Sequence, residues 1–177
     1  HLHALAHNRD SRRVRVGRRR GSIGAQRALG RRPKTAADID AALSGLVDRV
    51  SRRMRAAGRM GRTVTLRLRF EDFSRATRSR TLRRSTAHTG TILGTARELL
   101  AIAMPMIERR GLTLVGVAVG NLDDGRTVQL ELPFDRHDGP DLDEALDAVR
   151  ERYGTAAVTR GTLLGRDPGW AMPMLPD

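Results

Sequence analysis

Apolar and polar positions alternate strictly over residues 63–70: Val64, Leu66, Leu68 and Phe70 fall on one side, Thr63, Thr65, Arg67 and Arg69 on the other. A period of two is the mark of a half-buried β-strand. Upstream the period lengthens. Ile39, Leu43, Leu46, Val47, Val50 and Met54 recur at helical spacing with Asp48, Arg49, Arg52, Arg53 and Arg55 between them, which predicts an amphipathic helix ending near Gly58. Pro33-Lys34-Thr35 punctuates its start, and Thr35 with Asp38 resembles a capping box built with the shorter acid. Residues 22–29 read as a strand, with Ile23 and Ala25 facing one way and Ser22, Gly24 and Gln26 the other. Glu71-Asp72 predicts a turn into a polar strand over residues 73–84, whose parity is obscure because it has no clean apolar side beyond Phe73. A second helix is expected over residues 89–108, with Ile92, Leu93, Ala96, Leu99, Leu100 and Ala103 inward and Pro105 kinking it or ending it early. Residues 112–119 form a near-continuous, Val-rich apolar run, as a buried central strand would.

The order strand, helix, strand, strand, helix, strand is the split βαβ arrangement, an α+β fold with two helices on one face of a four-stranded antiparallel sheet. The helices must cover the Val64/Leu66/Leu68/Phe70 side. Pleat parity then turns Thr63, Thr65, Arg67 and Arg69 towards solvent or a ligand. Before this unit, residues 1–10 read as the last turns of a helix with Leu2, Leu5 and Ala6 on one face, and residues 12–20 hold six arginines, too charged for a core. After it, residues 141–153 predict a short amphipathic helix with Leu142, Ala145, Leu146, Val149 and Tyr153 on one face, and residues 156–164 read as extended. This tail is expected to be a loosely held appendage; covering part of the domain, or lying on its basic face as a mimic of DNA, are the alternatives.

With 177 residues the chain has room for one well-cored domain plus extensions. The net charge is +13, and its distribution changes the picture. Residues 1–134 carry 28 basic and 11 acidic side chains, a balance of +17, whereas residues 135–177 carry 5 and 9, a balance of −4. Such a field is self-repulsive unless a polyanion meets it, and nucleic acid is the first candidate. The preference for Arg over Lys says less, because a GC-rich coding sequence produces the same bias. There is no Cys, which excludes disulfides and thiolate metal sites and suits a reducing cytoplasm. No signal peptide is recognisable, and the longest apolar runs fall short of the roughly 20 residues of a membrane helix. Aromatic residues are 3% of the chain, too few for a base-stacking platform. His3 and His7 lie one helical turn apart, but with only Asp10 nearby as a further donor no metal site is expected. Residues 17–24 contain glycines without a phosphate-loop or dinucleotide pattern.

Four blocks taken together resemble the Y-family translesion DNA polymerases of the bacterial DNA polymerase IV type. They are Leu2-His3-Ala4-Leu5-Ala6-His7, Arg20-Gly21-Ser22-Ile23-Gly24, Leu66-Arg67-Leu68-Arg69-Phe70-Glu71-Asp72-Phe73, and Arg110-Gly111-Leu112-Thr113-Leu114-Val115-Gly116-Val117. They stand in the family's order over roughly residues 1–134. Gly21 departs from the Lys common before the Ser in this family, and Arg18 to Arg20 are its nearest substitutes. The resemblance implies the end of a thumb and a linker in 1–16, a little-finger DNA-binding domain in 17–122, a clamp-binding segment in 123–136 and a C-terminal tail in 137–177. It also implies an error-prone translesion polymerase in which Mg is held by palm carboxylates absent from this sequence, so this chain alone should be catalytically inactive and carry no cofactor.

For the DNA-binding face, parity and resemblance together nominate Arg18, Arg20, Ser22 and Gln26 on the first strand, and Thr63, Thr65, Arg67 and Arg69 on the second. Arg75, Thr77, Ser79 and Arg78 are the candidates on the third. Small residues at Gly21 and Gly24 would let the backbone approach a phosphate closely. Contacts of this kind fix position without reading sequence, which suits a template-primer duplex of any sequence. Gln129-Leu130-Glu131-Leu132-Pro133-Phe134 resembles the peptide by which bacterial polymerases dock on the replicative sliding clamp, with Gln129 anchoring by its amide, Leu130, Leu132 and Phe134 supplying apolar contacts, and Pro133 keeping the segment extended. The alternatives are an adaptor derived from a catalytically inactive polymerase paralogue, and a stand-alone ferredoxin-like nucleic-acid-binding protein.

Overall fold

The computed structural model describes residues 2–10, 12, 21–124 and 139–166. Its elements are α1 (Leu2–Ala6), β1 (Ser22–Ala28), α2 (Ala36–Ala56), β2 (Arg59–Phe70), β3 (Arg75–Thr86), α3 (Thr89–Arg110), β4 (Leu112–Asp124) and α4 (Gly139–Tyr153), followed by a short 3-10 turn at Gly161–Leu163. The four strands form one antiparallel sheet in the order β1-β4-β2-β3. The expected α+β fold is therefore present, with β4, the last strand among the described residues, inserted between β1 and β2.

The sequence signals act as expected at α2. Thr35 is its N-cap, and the reciprocal box with Asp38 is complete: the Thr35 hydroxyl accepts from the Asp38 amide at 3.1 Å, and the Asp38 carboxylate accepts from the Thr35 amide at 3.1 Å. The core lies between the helices and one sheet face. Val64, Leu66 and Phe70 of β2 and Val115, Val117 and Val119 of β4 meet Leu43, Val47, Val50 and Met54 of α2 and Ile92, Ala96 and Leu99 of α3, all buried.

Three expectations are corrected. Pro105 neither ends nor shortens α3, which runs on to Arg110. The helix survives because Ala101, Ile102 and Pro105 face solvent, so the carbonyl that proline leaves unbonded is not buried, while Ala103 and Ile107 keep the buried stripe going. Phe73 does not start β3; it stands in the turn before it, 65% exposed. Finally, α3 is long and apolar enough, by length and composition alone, to cross a membrane, although no uninterrupted apolar run reveals it. Here its apolar stripe is part of the domain core.

Residues 139–166 of the tail are not loosely held. The Arg55 guanidinium of α2 donates to both carboxylate oxygens of Asp147 at 2.6 and 3.1 Å, to Asp143 Oδ2 at 3.1 Å, to the Ala87 carbonyl at 3.0 Å and to Thr89 Oγ1 at 3.0 Å. Asp143 also accepts the Thr89 amide at 2.7 Å, satisfying a donor at the start of α3. Arg150, 6% exposed, pairs with Asp48 at 3.1 Å, and Arg166 pairs with Asp38. Leu163 packs over Gly45 of α2. So α4 docks by its charged stripe of Asp143, Asp147 and Arg150, while Leu142 and Tyr153 of the expected apolar stripe are exposed. The reason is the surface it meets: a half-buried guanidinium whose partners within the domain, the Ala87 carbonyl and Thr89 Oγ1, are neutral, and the first amide of a helix. The docking site is on the helix side, so residues 139–166 do not lie over the opposite sheet face as a mimic of DNA.

Candidate nucleic-acid interface

Cross-strand partners in an antiparallel sheet project to the same side, so the pairings assign every strand's parity. Thr63, Thr65, Arg67 and Arg69 of β2 face Thr81, Ser79, Thr77 and Arg75 of β3 on one side and Gly120, Ala118, Gly116 and Leu114 of β4 on the other. Those β4 residues face Ser22, Gly24, Gln26 and Ala28 of β1. All of them lie on the face that the helices leave bare. Ser22, Gln26, Arg67, Arg75, Thr77 and Ser79 are exposed, and Thr63, Thr65 and Arg69 half-buried.

Arg78 parts from this set. It pairs with Leu66, so it projects towards the helix side, as does Arg80 opposite Val64. Arg80 pairs there with Glu98 of α3. The apolar side of β3 is only Ala76 and Leu82, which is why its parity could not be read from sequence. Arg18, Arg20 and all five clamp candidates, Gln129, Leu130, Leu132, Pro133 and Phe134, lie outside the described residues.

Two features of the face were missed at the sequence level. One is its floor. Gly116, Ala118 and Gly120 make a low central strip between the polar rows of β1 and of β2 and β3. The signal was present in the Val-rich run, where Val115, Val117 and Val119 alternate with these small residues. The other is Thr81, whose hydroxyl lies 3.1 Å from that of Thr63, which also accepts from Asn121 Nδ2 at 2.8 Å.

The electrostatics of the two sides differ. On the helix side several arginines are paired with carboxylates: Arg97 with Asp40 at 2.7 Å, Arg55 with Asp143 and Asp147, Arg150 with Asp48. The Arg97 bond and charge hold the Asp40 carboxyl below its usual range. On the bare face, Arg67 and Arg75 make no hydrogen bond or ion pair among the described residues, and none of the cross-strand partners of Thr63, Thr65, Arg67 and Arg69 is acidic. Arg69 and Arg75 stand directly opposite each other. Like charges so placed repel unless an anion comes between them. Arg69 is steadied at its root, its Nε 3.4 Å from Thr113 Oγ1, which donates back to the Arg69 carbonyl at 3.0 Å.

The β2–β3 turn closes one end of this face. The Phe70 amide donates to the Ser74 carbonyl at 2.9 Å, and the Phe73 amide to the Phe70 carbonyl at 3.1 Å. Phe73 has φ +62°, left-handed backbone in a position that hairpins of this length normally give to Gly. An L-residue other than Gly is strained there by on the order of 1–3 kcal/mol. Asp72 braces the turn by accepting the Ser74 amide and hydroxyl and a guanidinium N–H of Arg110. The Ser74 hydroxyl and then Arg110 lower the Asp72 carboxyl to about 2.

Residues 20–132 match the family described as the impB/mucB/samB family C-terminal domain. The chain is 38% identical over 175 residues to the protein named DNA polymerase IV 2 of Mesorhizobium japonicum, a match covering 92% of this chain and 42% of that one. It is 35% identical over 166 residues to DNA polymerase IV of Caulobacter vibrioides, covering 92% and 40%. The chain thus spans about two-fifths of the length of these curated relatives. Among solved structures its fold is similar to a Y-family DNA polymerase chimera, with TM-score 0.51, 20% identity, and coverage of 68% of this chain and 33% of that one. The insertion ternary complex of Dbh DNA polymerase is comparable, with TM-score 0.50, 17% identity and the same coverages.

Proposed function

We propose, from the premise that this chain belongs to the impB/mucB/samB family C-terminal domain, that its bare sheet face grips template-primer duplex for a translesion polymerase. The observation that carries this reading is the segregation of charge: Arg55, Arg80, Arg97 and Arg150 on the helix side are engaged by carboxylates, whereas Arg67, Arg69 and Arg75 stand in cross-strand rows from Thr63 to Arg69 that hold no acid. Hydroxyls at Ser22, Thr63, Thr65, Thr77, Ser79 and Thr81 stand beside them as donors to phosphate oxygens. Such contacts hold a duplex in place while ignoring its sequence, as synthesis across damaged templates requires. The relatives' name, DNA polymerase IV, supports this assignment.

In a protein of the relatives' length, a palm domain would supply the acidic residues that hold Mg and the nucleotidyl-transfer chemistry, and this part would position DNA. Arg18 and Arg20 would add cations ahead of β1. The segment Gln129 to Phe134 would dock on a sliding clamp; a fluorescent peptide of residues 126–136 should bind purified clamp, and failure to bind would remove this element. The setting is the cytoplasm, where bacterial DNA lies.

Fluorescence anisotropy over a salt series tests the grip. Replacing Arg67 and Arg69 together by Ala should weaken binding to duplexes of unrelated sequence equally and reduce the slope of log K against log salt by about 0.9 for each phosphate the protein no longer neutralises. Unchanged affinity at low salt would overturn the assignment of the face.

A further inference from the structure

We infer that Phe73 is a stacking residue for an unpaired nucleobase at the end of the duplex held by the bare sheet face. The inference rests on the reading of that face given above. Three observations lead to it. The backbone at Phe73 is left-handed, where Gly is the default and a bulky side chain is an outlier. The ring does not recover that strain by packing, being 65% exposed. And the turn beneath it is rigid, braced by the bonds of Asp72 to Ser74 and Arg110, while the guanidinium carbon of Arg110 sits 4.8 Å from the Phe70 ring centroid. An exposed aromatic held in a strained, braced position points to a contact made outside the domain.

The surroundings favour nucleic acid over protein as that contact. Arg31, from the loop between β1 and α2, places its guanidinium carbon 5.6 Å from the centroid of the Phe73 ring. Two residues along the chain is Arg75, which with Arg69 ends the open-face row at this turn. A flat apolar ring flanked by guanidinium groups suits a base whose own phosphate is negative, because the π-face stacks and the cations meet the backbone. Bases inside a duplex already have stacking partners on both sides, so the available partner is the first base of a single-stranded extension. One aromatic does not make a single-strand platform; it makes an end stop where paired and unpaired template meet.

The test compares a blunt duplex with the same duplex carrying a short single-stranded extension at either end, using the 177-residue chain and its Phe73→Gly variant. Gly suits the backbone at this position, so the variant should fold and melt a few degrees higher, roughly. In the unmodified protein an extension of one polarity should tighten binding roughly five- to tenfold. Phe73→Gly should lose that advantage while keeping blunt-duplex affinity, and 2-aminopurine at the first unpaired position should change its fluorescence only with the unmodified protein. An extension that gives no advantage, or the same advantage in the variant, overturns the inference; the latter is the result if the ring serves a protein partner. Failure to bind the blunt duplex would instead count against the sheet face itself.

Discussion

Asp72 is an exposed carboxylate whose role is fixed by its neighbours. Hydrogen bonds from Ser74 and Arg110 stabilise its ionised form, lowering it from 3.8 to about 2. Because the folded state favours ionisation, the contribution to stability is complete above about pH 4 and is lost as pH falls towards 2. Asp38 behaves alike, lowered to about 2 chiefly by the Thr35 hydroxyl and next by Arg166. Asp72→Asn and Asp38→Asn should each melt below the unmodified protein at neutral pH, and a Tm series should show the gap closing between pH 4 and pH 2. A gap that widens on acidification would contradict these bonds. Gly120 makes a different point. An added Cβ there would meet nothing closer than Gly21 O at 3.7 Å and Ser22 Cβ at 3.8 Å, so a β-branched side chain fits the strand. Gly120→Val should leave Tm unchanged or raised, yet raise the floor of the face and weaken duplex binding by on the order of tenfold, about 1.4 kcal/mol. Equal affinity for the two proteins would mean that DNA does not approach the central strip. Gly24 cannot serve, since a Cβ there would lie 2.9 Å from that of Ala118.

Among the elements, α4 is the one whose attachment departs furthest from what its pattern suggests. Periodicity nominates the stripe of Leu142, Ala145, Leu146, Val149 and Tyr153 for burial, but only Leu146 and Val149 of it are half-buried, and the helix is held by the ion pairs of Asp143, Asp147 and Arg150. Hydrophobic patterning assumes an apolar surface waiting to be covered, and here the waiting surface is the Arg55 guanidinium and the first amide of α3. Asp143→Ala removes a partner from a guanidinium whose side chain is 16% exposed and uncovers the Thr89 amide. It should cost about 2–4 kcal/mol in urea denaturation, with blunt-duplex affinity unchanged because the site is on the opposite side from the sheet's bare face. A stability loss within error of zero would make the ion pairs ornamental. Elsewhere the elements were legible wherever one strong local period ruled them, as in α2 and β2. They were not where local signals conflicted: Pro105 suggested an end that burial of Ala103 and Ile107 overrode, and β3 offered arginine on both sides.

At the scale of the molecule, the bare face could be read from β2 alone, because pleat parity is local and the helices had to cover its Val64/Leu66/Leu68/Phe70 side. The strip of small residues across the middle of that face depends on which strands are neighbours, and no local pattern encodes that. The order β1-β4-β2-β3 joins residues far apart in the chain, Ser22 beside Gly120 and Thr63 beside the same glycine. This arrangement also governs how the protein comes into being. On a ribosome adding about 5–20 residues per second, β1 ends at Ala28 and its strand partner among the described residues is complete at Asp124, so on the order of 5–20 seconds pass before it can pair. Through that interval the nascent chain carries β1 and the β2–β3 hairpin as separate pieces with unsatisfied amides along their inner edges. Arrest of translation short of β4 would release a product unable to close its sheet, a natural client for chaperones and proteases.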